Sequence, residues 1–85
     1  MRFYVYLIIS KKFKKYRSYV GYAKNVKKRL DLHNKSKGAK FTRGQFWTLA
    51  YSKSYKNKSI AMKEEYKLKK NIKLRNIIKK NFLKK

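Results

Sequence analysis

The chain has 85 residues, 27 of them Lys or Arg against only three acids, Asp31, Glu64 and Glu65, for a formal net charge of +24. That length suits one small domain over residues 1–85 and is too short for two, and the lack of cysteine excludes disulfides and thiolate metal sites. So large a charge repels itself and points to a polyanionic partner, although a lysine-biased, AT-rich genome would produce part of the same excess.

Residues 2–10 alternate as a strand, with Phe3, Val5, Leu7 and Ile9 on one face and Tyr4, Tyr6 and Ile8 on the other. Apolar cover on both faces suits a strand inside a sheet rather than at its edge. The basic stretch from Lys11 to Tyr16 reads as a hairpin loop. Residues 17–22 resume the β pattern, Tyr19 and Gly21 facing one way and Val20 and Tyr22 the other. A glycine within a strand marks a place where a backbone or a ligand comes close. Asn25 is placed to cap a helix running to about residue 35, whose apolar stripe is Val26, Leu30 and His33. Arg29 stands at the margin of that stripe, one turn before His33.

Lys35 to Gly44 is a glycine-bearing basic loop, most simply a flexible one. Phe46 to Ser54 reads as a third strand, with Phe46, Thr48 and Ala50 opposed to Trp47, Leu49 and Tyr51. Ser59 can cap a second helix from about residue 60 to 70. Leu74, Ile77, Ile78 and Phe82 then recur at helical spacing in a last lysine-rich segment, with Asn71 either separating the two helices or lying inside one. The predicted order is ββαβαα. The fold class is α/β (α+β): a three-stranded, mainly antiparallel sheet flanked by helices.

Phe3 to Ile9 is apolar for only seven residues, followed by Lys11 and Lys12 with no cleavage site, and is not a secretory signal. No run approaches the roughly 20 apolar residues of a membrane helix. The expectation is a cytoplasmic, nucleoid-associated protein without a membrane role. The last helix is amphipathic and basic enough for a membrane surface, but a chain this small needs its apolar positions for the core.

Two kinds of residue are chemically informative. Glu65 shares a helical stripe with Ala61, Leu68 and Ile72, whereas Glu64 lies off that stripe beside Ile60 and Lys67. A carboxylate on an inward face needs a partner: Lys69 at i+4, or a hard divalent cation that keeps several of its waters. Tyr6 and Tyr19 serve equally well as half-buried strand core or as phenols beside a phosphate, where cations would lower their ordinary pKa of about 10. Arg29 reads as one more phosphate-steering charge, and His33 as a core histidine.

The ordered set is more specific than any member. Tyr4-Val5-Tyr6, Tyr19-Val20-Gly21, Arg29, His33-Asn34, Gly38 to Arg43, Ala61 to Tyr66 and Leu68-Lys69-Lys70 together resemble a GIY-YIG nuclease. The likeness is to the small stand-alone members, related to the amino-terminal nuclease domain of bacterial excision-repair endonuclease, and runs from about residue 3 to 80. Tyr4 and Val5 replace the Gly and Ile of the family's name. The proline common before the third strand is absent, with Gln45-Phe46 in its place, and lysines replace acids in the surface turns.

The resemblance implies a DNA endonuclease acting in repair or processing and leaving 5′-phosphate and 3′-hydroxyl ends. By it, Mg²⁺ or Mn²⁺ is held by Glu65, Tyr19 activates water, and Tyr6 supports Tyr19 through a hydrogen bond. Arg29 stabilises the phosphate, and His33 contacts it or assists proton transfer. Lys40, Arg43 and, more weakly, Asn34 are the implied nucleic-acid contacts. RNA is an alternative substrate, and a protein partner would supply targeting. The competing reading from charge alone is a non-catalytic nucleic-acid-binding protein, ribosome-associated or architectural.

Overall fold

Every residue from Val5 to Ser10 is buried, because the strand that carries them has a neighbour on each edge and packing on each face. In the computed structural model, which describes residues 2–12 and 15–84, β1 (Phe3–Lys12) lies between β2 (Lys15–Ala23) and β3 (Thr48–Tyr55), antiparallel to both. The helices are α1 (Val26–Asn34), α2 (Lys58–Lys70) and α3 (Ile72–Leu83), and a 3₁₀ turn spans Lys40–Thr42. The order ββαβαα and the sheet are as the sequence pattern predicts.

The two faces of β1 make two cores. Val5, Leu7 and Ile9 pack with Val20, with Ala61 and Leu68 of α2, and against Ile78 and Phe82 of α3. Tyr6 and Ile8 pack with Ala23 and Trp47, against Tyr19 and the α1 residues Val26 and Leu30. Of the apolar positions expected of the last helix, Ile78 and Phe82 reach the core, whereas Ile77 is 55% exposed and Leu74 38%.

The hairpin is longer than its lysines suggest. Lys11 pairs with Tyr16 and Lys12 with Lys15 in the ladder, so these four residues of the expected loop are strand; residues 13 and 14 lie outside the described residues. Lys11 is exposed and its ammonium sits 5.6 Å from the centre of the Tyr16 ring, an attraction that offsets the local repulsion. The third strand starts later than expected because Asn34 captures the backbone of Trp47, accepting its N–H and donating to its carbonyl. Trp47 therefore enters the core outside the ladder, leaving Phe46 exposed.

Asparagines set the helix starts. Asn25 accepts from the Lys28 N–H, as predicted. Asn57, not Ser59, caps α2: its backbone is extended and its side chain accepts from the Ile60 N–H. Asn71 separates α2 from α3, donating its N–H to the carbonyls of Lys67 and Leu68 while its side chain accepts from the Leu74 N–H. Replacing Asn71 with Ala should cost about 1 kcal/mol of stability, the usual worth of an N-cap side chain, read as a lowered urea midpoint at unchanged slope.

Candidate active site

A cleft of about 540 Å³ opens where the start of β1, the end of β2, α1 and α2 meet, and Tyr6, Tyr19, Gly21, Arg29 and Glu65 all line it. Tyr6 comes from the central strand and Tyr19 and Gly21 from its edge neighbour. Arg29 projects from the exposed side of α1. Glu65 reaches in from α2 with its side chain 17% exposed. Glu64 lines a different hollow, beside Tyr51, Tyr55 and Lys67, so the helical phase separates the two acids as expected.

Gly21 is a condition of this arrangement. It pairs with Tyr6 across the ladder, and a Cβ there would sit 2.5 Å from Tyr6 Oη and 2.6 Å from Cζ. What comes close to this strand glycine is thus the hydroxyl end of the phenol ring. Tyr6 Oη is 2.8 Å from His33 Nε2, and His33 Nδ1 is 2.8 Å from Thr42 Oγ1. A Cβ at Gly38 would be 2.5 Å from His33 Nδ1, so this second glycine makes room for the imidazole. The Tyr19 ring meets His33 edge-on at 5.1 Å and is stacked with Phe41, which stands half exposed near the Arg17 guanidinium.

Two expected contacts change their place. His33 is 1% exposed, both its ring nitrogens are engaged, and it lies behind Tyr6 rather than on the cleft wall, so it is not available to touch a phosphate. Asn34 commits one amide N–H and its carbonyl oxygen to the Trp47 backbone and is not among the residues that line the cleft. Lys40 and Arg43 are exposed as expected, but on a turn fixed from below: Trp47 Nε1 donates to the Thr42 carbonyl and Gln45 Nε2 to that of Phe41. Thr42 went unpredicted because a threonine in a basic loop carries no periodic signal. Lys24, Lys28 and Lys58 on the cleft wall were hidden among the other lysines.

Burial, then Tyr19 and Glu65 nearby, raise the Tyr6 pKa far above that of an ordinary phenol, with Arg29 opposing. Tyr6 is therefore a protonated hydroxyl at neutral pH. Burial, reinforced by Arg29, lowers the pKa of His33. Glu65 pairs with Lys69 at 3.5 Å. With Lys69 half exposed, that pair contributes well under about 1 kcal/mol and is readily exchanged for another cation. No three His, Cys, Asp or Glu side chains converge among the described residues. One carboxylate flanked by phenols fits a hard cation that retains most of its waters, and does not fit a metal needing a full set of protein ligands.

Residues 2–79 match the family profile described as the GIY-YIG catalytic domain. A UPF0213 protein of Oceanobacillus iheyensis is 48% identical over 52 residues, 60% of this chain and 60% of that protein. UPF0213 proteins of Staphylococcus aureus strains Mu50 and N315 are each 44% identical over 52 residues, 60% of this chain and 63% of theirs. The matched segment thus spans less than two thirds of these relatives' length. No solved structure matches the chain.

Two outcomes follow from the geometry. Gly21→Ala should destabilise the fold by about 1–3 kcal/mol through overpacking, and in a Tyr6→Ala background most of that cost should vanish; a double-mutant cycle by urea unfolding measures the coupling. Because folding lowers the His33 pKa, its stabilisation is present above the ordinary value of 6.5 and is lost as pH falls below it. The wild-type urea midpoint should drop between pH 7.5 and 5.5, and the drop should be smaller in His33→Gln.

Proposed function

The chain belongs to the GIY-YIG family, and from that membership we propose that it is a metal-dependent endonuclease that hydrolyses DNA phosphodiester bonds. The observation that carries the reading is the convergence of two phenols, a guanidinium and an inward carboxylate on one cleft. A binding protein that works by charge alone has no need of an acid on that wall.

In this reading the cleft seats one phosphodiester. Arg29, with Lys24 and Lys28 beside it, takes the non-bridging oxygens and stabilises the charge that grows on them. Tyr19 orients and deprotonates the attacking water, and Tyr6 holds that water or the Tyr19 hydroxyl in line. His33 has a positioning role behind Tyr6. Glu65 holds a Mg²⁺ or Mn²⁺ ion, which when bound supplies Lewis-acid stabilisation of the departing oxygen. Lys40 and Arg43 follow the flanking backbone. Action in DNA repair or processing is part of the same proposal.

The cations around Glu65 make a prediction of their own. Lys24, Lys28, Arg29 and Lys58 share the cleft with one carboxylate, so a divalent ion is repelled until phosphate neutralises them. Metal affinity, read by Mn²⁺ relaxation with an uncleavable phosphorothioate DNA, should rise on DNA binding and fall in Glu65→Gln.

Cleavage is the direct test. Wild type should cut DNA only with Mg²⁺ or Mn²⁺, Glu65→Gln and Arg29→Ala should lose roughly 10²-fold or more, and Tyr19→Phe about 10²–10⁴-fold. All three should still bind DNA at low salt, where binding rests on many phosphate contacts. The reading fails if purified wild type cuts no linear or branched DNA with metal present, or if Glu65→Gln cuts as fast as wild type.

A further inference from the structure

The directions of the protons behind Tyr6 follow from the far end of its hydrogen-bond chain. The Ala39 carbonyl can only accept, so the Thr42 hydroxyl, 2.7 Å away, gives it its single proton. Thr42 Oγ1 then offers only lone pairs to His33 Nδ1, which must carry the hydrogen of that 2.8 Å contact. His33 is 1% exposed, has hydroxyls on both nitrogens, and takes no part in the ion pairs of the described residues. A charge there would be uncompensated, so the ring is neutral. A neutral imidazole has one N–H. Nε2 is therefore the acceptor, and the Tyr6 hydroxyl donates to it.

We infer that Thr42, acting through His33, fixes Tyr6 as a hydrogen-bond acceptor towards the cleft, where it takes a proton-bearing group and not a phosphate oxygen. With its proton committed to His33, Tyr6 Oη has only lone pairs left for the cleft. A phosphate oxygen is itself an acceptor and is disfavoured beside it. The matching ligand is a water or hydroxyl, which under the endonuclease reading is the attacking water or the Tyr19 phenol. Thr42 and His33 touch no substrate, so both are positioning residues. Gly38 belongs to the same device, since a Cβ there would press on Nδ1, the atom whose protonation sets the direction.

The test uses the single histidine of the chain. The ¹⁵N imidazole spectrum of the folded protein at pH 7.5 should show protonated Nδ1 and unprotonated Nε2; a predominant Nε2–H form overturns the inference. Thr42→Val removes the acceptor at Nδ1, and the spectrum should move towards Nε2–H, which reverses the Tyr6 hydrogen bond. DNA affinity should then hold while kcat falls roughly tenfold or more, as for one misdirected hydrogen bond. Thr42→Ser should restore both the spectrum and the rate. A folded Thr42→Val protein whose tautomer changes while kcat does not shows that the Tyr6 direction is irrelevant to the reaction and overturns the inference. If Thr42→Val does not fold, wild type and Thr42→Ser still decide it, since both must show the Nδ1–H form. Absence of cleavage by wild type defeats the endonuclease reading instead, and the spectrum alone then decides the proton direction.

Discussion

The molecule depends on one close contact, the Tyr6 ring lying on the backbone of its cross-strand partner Gly21. β1 is buried on both faces, so a tyrosine pointing from it has no route to solvent except along the sheet. Without a Cβ opposite, the ring lies over β2 and brings its hydroxyl to α1 on one side and to the cleft on the other. The placement of His33, the need for Gly38 and the burial of Thr42 all follow from where that hydroxyl ends. A polar group sunk this far must be satisfied, and the chain does so with uncharged partners although nearly a third of its side chains are cationic.

Much of this was legible in the sequence where it rests on period or phase. The alternation along β1 gave both faces, and helical phase set Glu65 towards the cleft and Glu64 away from it. Asn25 and the sheet order needed only local rules. What stayed hidden depends on contacts between distant residues. Nothing local shows that Asn34 will hold the Trp47 backbone and delay β3, or that a loop threonine will be buried beneath a histidine. The basic stretch at the hairpin reads as a loop, and nothing local shows that the Lys11 ammonium will lie against the Tyr16 ring within the ladder. Gly21 announced a close approach but not by what.

Charge does two separate jobs in this chain. Spread over the surface, it attracts polyanions without choosing among them. Inside the cleft, the same sign of charge surrounds one carboxylate and sets the local field there. The second effect needs the fold, because only packing of α2 on the sheet brings Glu65 to the end of β1 that carries Tyr6. Tyr6, buried and hydrogen-bonded to His33, keeps its proton and places a polar hydroxyl among these cations without adding to their repulsion.

Asn71 ends one helix and begins the next with nothing between. A joint of one residue has no slack: inserting or deleting a residue there must leave the last carbonyls of α2 or the first N–H groups of α3 without partners, and would rotate α3 by about 100° against its core contacts. Length variation among descendants of this chain should therefore be selected against at Asn71. It should gather at chain reversals whose backbone groups face solvent. The helix that carries Glu65 is in this sense ruled at both ends by asparagine, Asn57 at its start and Asn71 at its close.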